Sequence, residues 1–87
     1  MYVQIKKIND VNNKIYYRFF TDNENEFGIF EIIIDDEKDI SMKDSFRLIK
    51  SINIFNADNL YLRAKGTILR EYKVLGTFPE EASFMGG

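Results

Sequence analysis

The sequence predicts an α+β fold, an antiparallel β-meander of about four strands with one long C-terminal amphipathic helix packed on one face. Three observations carry this reading. First, two arms rich in aromatic and β-branched residues, Ile15-Tyr16-Tyr17-Arg18-Phe19-Phe20 and Phe27-Gly28-Ile29-Phe30-Glu31-Ile32-Ile33-Ile34, flank the polar link Asp22-Asn23-Glu24-Asn25-Glu26. That is the composition of a β-hairpin. Second, Tyr2-Val3-Gln4-Ile5-Lys6-Lys7-Ile8 alternates, with Val3 and Ile5 on one face, as a strand does. Third, from Asn56 onward the apolar period changes to that of a helix. A chain of 87 residues has room for one sheet and a helix or two, so residues 1–87 form a single domain.

The elements follow in order. After the first strand, Asn9-Asp10-Val11-Asn12-Asn13 reads as a loop, and two consecutive Asn tolerate the left-handed conformations of a tight turn into Ile15. In the hairpin, pairing Phe19 with Phe30 sets Tyr17 opposite Ile32 and Ile15 opposite Ile34. On the other face it sets Phe20 against Ile29, Arg18 against Glu31 and Tyr16 against Ile33. This register matches apolar with apolar and charge with counter-charge, each pair worth roughly 0.2–1 kcal/mol. Residues 40–55 fit either a helix capped by Ser41 or a fourth strand over Phe46–Ile54; the β-branched Ile49, Ile52 and Ile54 favour the strand. Asn56 is placed as N-cap, and Ala57, Leu60, Tyr61, Ala64, Ile68, Tyr72 and Leu75 form one stripe of a helix that stops at Gly76, with Pro79 just beyond. Phe78 folds back on the helix end in this reading. In the tail, residues 80–87, Phe84 and Met85 either pack on the sheet or hang free on a flexible segment, and Gly86-Gly87 reads as a disordered end.

Composition excludes much chemistry. The chain has no Cys, His or Trp, which removes disulfides, thiolate and imidazole metal ligands, thiol nucleophiles and every His-based acid/base arrangement. Asp22-Asn23-Glu24-Asn25-Glu26-Phe27 copies only the first five positions of a calcium loop and has Phe where the bend needs Gly. The expectation is no enzyme, no metal and no cofactor. No segment approaches the roughly 20 apolar residues that span a bilayer, and the expected setting is the cytoplasm, with no membrane partner.

Charge is segregated although the net value is only −2. Between Asp22 and Asp39 lie eight acids and one base, while the rest of the chain is basic. Such a dipole steers a partner of opposite sign. The hairpin is apolar on both faces, so one face is core and the other needs a second cover. Either residues 40–55 or the tail supply that cover, or the face is a binding patch. In the second case the partner-binding residues are Tyr16, Arg18, Phe20, Ile29, Glu31 and Ile33, joined by the acids Asp22, Glu24, Glu26, Asp35, Asp36, Glu37 and Asp39. Tyr and Arg are common interface anchors, and a contiguous apolar patch is rarely left open on a monomer. Single-stranded nucleic acid, which stacks on aromatic sheets, is disfavoured by the neighbouring acids.

Tyr17-Arg18-Phe19, the hairpin into Gly28-Ile29-Phe30-Glu31-Ile32, and a helix with Tyr61 and Ala64 ending in Gly76-Thr77-Phe78-Pro79-Glu80-Glu81 together resemble a group of small bacterial β-meander plus helix proteins, some of them of toxin-immunity type. The resemblance implies the fold above and a non-enzymatic inhibitor, immunity-type or phage-style, that neutralises a toxin or defence nuclease by occluding it. It locates no catalytic residue. The alternative is a homodimeric structural or accessory protein whose sheets pack face to face.

Overall fold

In the computed structural model, which describes residues 1–86, the chain runs β1 (Tyr2–Val11), β2 (Lys14–Phe20), β3 (Gly28–Ile33), β4 (Phe46–Lys50), α1 (Ala57–Leu75) and β5 (Glu81–Met85). The strands form one antiparallel sheet in the order β4-β3-β2-β1-β5, with α1 against one face. The α+β class and the meander are as the sequence predicts, but the sheet has five strands rather than four. The fifth is the tail. After the left-handed stop at Gly76 (φ 80°) and the bend at Pro79, Glu81–Met85 pairs with the free edge of β1, placing Ala82 opposite Ile5 and Phe84 opposite Val3. The alternation Ala82/Phe84 inward and Ser83/Met85 outward is a five-residue strand pattern that the polar flanks conceal in the sequence. Gly86 continues this attachment, donating its N–H to the Met1 carbonyl at 2.9 Å; Gly87 lies outside the described residues.

The β1–β2 connection is shorter than the sequence suggests. Asn9, Asp10 and Val11 stay in the strand, and Asn12 and Asn13 alone form the turn, both with positive φ (51° and 66°). Two left-handed residues in a two-residue loop match the twist of the flanking strands. A bulge between Lys7 and Asn9 absorbs the extra length and turns Ile8 outward.

The β2–β3 register differs from the expected one by two residues. Tyr17 pairs with Phe30, Ile15 with Ile32, Arg18 with Ile29, Tyr16 with Glu31, and Phe19 with Gly28. A shift of two preserves which side each residue faces, so the inner and outer sets are as expected although their partners change. Gly28 is the reason. A Cβ at Gly28 would lie 2.4 Å from Phe19 Cζ and 2.8 Å from the Lys50 carbonyl, so the Phe19 ring occupies the space that a side chain would need. Phe30 then stacks on Tyr17 (centroids 5.6 Å apart, planes 23° apart) and touches Phe19, Phe46 and Tyr61.

The strand expected over Phe46–Ile54 ends at Lys50, which lies opposite Ile29 near the start of β3; past that point no partner strand continues. Ile52 nevertheless turns into the core from the following loop. The inner layer is Val3, Ile5, Ile15, Tyr17, Phe19, Phe30, Ile32 and Phe46, closed by Leu60, Ala64 and Ile68 of α1. Asn56 holds the N-cap place but is itself left-handed (φ 63°) and makes no side-chain cap hydrogen bond, contrary to the expected cap; its carbonyl accepts from the Leu60 N–H. At the other end Leu75, expected on the buried stripe, is exposed. Phe78 does fold back, stacking on Tyr72 with centroids 4.2 Å apart. The Tyr17 hydroxyl donates to the Pro79 carbonyl at 2.6 Å, tying the centre of the sheet to the start of the tail.

Two glycines give opposite predictions. Gly28→Ala forces Phe19 or β4 to move and costs about 1–3 kcal/mol, as overpacking does. Gly66, mid-helix, has only Met42 Cε 3.8 Å from a built Cβ, so Gly66→Ala raises stability by roughly 0.5–1 kcal/mol; urea unfolding of both variants measures the two signs. Burial raises the Tyr17 pKa well above its ordinary value, with the Glu80 charge a smaller cause. A raised folded pKa means the folded state retains its proton longer than the unfolded chain. Stability is therefore fully present below the unfolded value of about 10 and falls as pH rises beyond it. Tyr17→Phe, at a cost of about 1 kcal/mol for the lost hydrogen bond, should flatten that alkaline slope in pH-dependent melting curves.

Candidate functional site

The sheet face away from α1 has no second layer of secondary structure among the described residues. Alternation places Lys6 of β1, Lys14, Tyr16, Arg18 and Phe20 of β2, and Ile29, Glu31 and Ile33 of β3 on this outer face. Arg47 and Lys50 join from β4, opposite Glu31 and Ile29. Tyr16, Arg18, Phe20, Ile29, Glu31 and Ile33 therefore share one surface. They are not equally open.

Phe20 is only 2% exposed. The β2–β3 loop folds back so that Glu24 Oε1 meets both Lys6 Nζ (3.2 Å) and Arg18 Nη2 (2.8 Å), and both cations lie 5.8 Å from the Phe20 ring. Phe27 is held in the same way, 4.3 Å from Lys50 Nζ. Long basic side chains thus lay their apolar stems over aromatic rings and keep their heads in water. This clasp, and not an element of structure, covers one end of the face. Arg18 pairs with Glu24 rather than with Glu31, a consequence of the two-residue register shift.

Glu31 sits at the centre, 1% exposed, between Tyr16 on β2 and Arg47 on β4. Arg47 Nη2 lies 3.2 Å from Glu31 Oε1, but the approach falls outside hydrogen-bonding geometry and that oxygen accepts no hydrogen bond. The Tyr16 phenol pKa is raised, first by side-chain hydrogen bonding toward Glu31 and then by desolvation. A carboxylate this well shielded, whose Oε1 is offset only by the ion pair to Arg47, gains from any further donor brought to it. Ile33, at 38% exposed, and the half-buried Ile29 and Tyr16 surround it.

The acidic segment divides in two. Asp22, Glu24 and Glu26 belong to the loop at the Gly28 end of β3, whereas Asp35, Asp36, Glu37 and Asp39 belong to the loop at its Ile33 end. Six residues of strand at about 3.3 Å each separate them by roughly 20 Å. Glu24 is spent on Lys6 and Arg18, while among the described residues Asp35, Asp36, Glu37 and Asp39 form no ion pair. The Asp35 carboxylate instead accepts the Glu37 N–H at 3.0 Å, which holds the loop in a tight turn. Among the described residues no three acidic side chains converge to hold a metal ion, and no helix is long and apolar enough to cross a membrane.

Sequence reasoning omits Lys6, Arg47 and Lys50 from this surface, whereas alternation places Phe27 on it with Tyr16, Phe20, Ile29 and Ile33. The alternation Phe46 inward, Arg47 outward was available as a signal for Arg47. The contribution of Phe27 depends on how the loop closes, which alternation does not encode. No protein-family model matches the chain, and no curated protein or solved structure matches it.

If Glu31 is held for a partner rather than for the fold, Glu31→Met, which fills the same space without charge, leaves stability unchanged or raises it by up to about 2 kcal/mol, whereas Arg47→Met lowers it by removing the counter-charge. Chemical denaturation of both variants tests this. A loss above about 1 kcal/mol in Glu31→Met would make the carboxylate a structural group.

Proposed function

We propose that the chain is a non-enzymatic protein-binding protein that inhibits its partner by occluding it, and that the outer sheet face is the docking surface. The immunity-type or phage-style setting, with a toxin or defence nuclease as client, rests on the resemblance described above. The observation that carries the docking surface is Glu31: a shielded carboxylate with an oxygen that accepts no hydrogen bond, at the centre of a sheet face that no second layer covers. A partner that laid an apolar surface over Tyr16, Ile29 and Ile33 and brought a cationic donor toward Glu31 would complete both deficits. Inhibition needs no chemistry beyond this, because a client whose cleft is filled cannot admit its substrate.

The electrostatic part of the contact differs from a continuous acidic strip. Asp35, Asp36, Glu37 and Asp39 lie in the loop beyond the Ile33 end of β3, where Asp35, Asp36 and Asp39 border a cavity that reaches Tyr72 and Lys73 of α1, with no ion-pair partner among the described residues, so their part is long-range steering of a basic client. Asp22, Glu24 and Glu26 lie at the other end, where Glu24 is already engaged.

The test uses Tyr16→Gln, which removes the ring and keeps a donor beside Glu31, with Ile33→Lys, two partly open positions, rather than the buried Phe20. Light scattering across concentrations is expected to give a monomer for both proteins, with matching melting curves. In cells expressing the toxin or nuclease that the wild type neutralises, the double variant should lose growth rescue, and Asp35→Lys with Asp36→Lys and Glu37→Lys should weaken it by about tenfold, the effect of losing roughly 1.4 kcal/mol of charge complementarity. A wild-type dimer that the double variant splits would assign the face to self-association. Retention of a labelled single-stranded oligonucleotide, lost in the double variant, would assign it to nucleic acid. Either result overturns the proposal.

A further inference from the structure

A second surface lies in the helical layer, away from the outer sheet face and independent of the function proposed for it. A groove of about 300 Å³ runs along α1. Its walls are Met42 from the β3–β4 loop and Phe84 from β5, and its floor is the helix surface at Leu62 and Gly66. Arg63 and Arg70 border it. The two arginines are seven residues apart, two helical turns or roughly 10 Å, so they stand on the same flank and their long side chains can converge on one group at the groove.

Three features of this groove lack a structural explanation within the fold. Neither Arg63 nor Arg70 has an ion-pair partner among the described residues. Arg63 is nevertheless held, its guanidinium 5.4 Å from the Phe84 ring, which leaves its donors pre-oriented for a planar or tetrahedral anion. Leu62 is half exposed although apolar walls stand beside it. The third feature is Gly66. A mid-helix glycine weakens a helix, and Gly66 is required neither by its backbone, which has no positive φ, nor by a close neighbour, since a Cβ would meet only Met42 Cε at an ordinary 3.8 Å. What its missing side chain does is leave the groove floor open.

We infer that this groove binds an anionic amphiphile, a carboxylate on an unbranched apolar stem, with the head on Arg63 and Arg70 and the stem over Gly66 between Met42 and Phe84. Charge sets the sign of the head, because two unpaired guanidiniums favour a carboxylate over any neutral group. The apolar walls set the stem, as in small-molecule sites generally, where a few polar groups orient a ligand that apolar contacts hold.

The experiment titrates sodium decanoate into the full chain and follows backbone amide shifts, with decanol, inorganic phosphate and phosphatidylglycerol vesicles as parallel probes. The expected result is saturable binding of decanoate with Kd at or below about 1 mM, shifts centred on Leu62–Arg70 and Phe84, and clearly weaker binding of decanol and of phosphate. Gly66→Leu should fill the groove and abolish binding while its circular dichroism melt shows an intact helix. Arg70→Gln, an exposed change that leaves the fold alone, should weaken decanoate by about tenfold and leave decanol unchanged. Absence of saturable binding, undiminished binding in Gly66→Leu, equal affinity for decanol or phosphate, binding to vesicles alone, or shifts confined to the outer sheet face would each overturn the assignment.

Discussion

The placement of the Phe19 ring over Gly28 is the contact on which the rest of this structure depends. Because Gly28 has no side chain, the Phe19 ring fills the space beside it at the start of β3, and the Lys50 carbonyl of β4 borders the same space, so three strands meet at one point. From that point the register follows. Phe30 comes opposite Tyr17 and builds the aromatic centre with Phe46 and Tyr61, while on the reverse side Glu31 comes opposite Tyr16 and Arg47. A register two residues away keeps the same faces, but it places Arg18, rather than Tyr16, across from Glu31; Arg47 holds its place opposite Glu31 through the separate β3–β4 pairing. The shielded carboxylate at the centre of the outer face is therefore a by-product of a packing decision made on the inner face.

This explains which parts of the fold were legible in the sequence. Side-chain alternation and helical period are local signals, and they placed the hairpin arms, the inner and outer sets, the helix from Ala57 to Leu75 and its stop at Gly76. Register is a non-local quantity. Matching charge with charge favoured Arg18 opposite Glu31, yet a cross-strand pair is worth under about 1 kcal/mol, whereas forcing a side chain into the volume of an aromatic ring costs more. Gly28 was visible; that it stood for the Phe19 ring was not. The tail was hidden for a related reason. Glu-Ala-Ser-Phe-Met is too short and polar to announce a strand, and it becomes one only because β1 offers a free edge whose inward residues, Val3 and Ile5, lack a cover.

The candidate surface was legible as a list of residues but not as a shape. Its acids are contiguous in sequence and roughly 20 Å apart in space, because β3 carries the chain from one end of the sheet to the other between them. Phe20 reads as an anchor until the loop closes over it with Glu24. Conversely, Lys6, Arg47 and Lys50 come from strands that are distant in sequence, and only the strand order β4-β3-β2-β1 assembles them around Tyr16 and Glu31.

How an uncovered sheet face can be stable and still admit the partner proposed for it follows from what covers it. A second layer of secondary structure would bind as strongly as the first, and displacing it would mean unfolding. Here the cover at the Phe20 end is a set of solvent-accessible ion pairs, Lys6 and Arg18 on Glu24, and such pairs contribute about 0–1 kcal/mol each. Their apolar stems shield Phe20 and Phe27 from water at small cost in order. A partner that supplies its own apolar surface replaces this shield without touching the core, since Tyr17, Phe19 and Phe30 lie on the far side of the same strands. The strands thus separate two tasks by parity. Odd positions of β2 carry the cohesion of the domain, and even positions carry a covering weak enough to be exchanged.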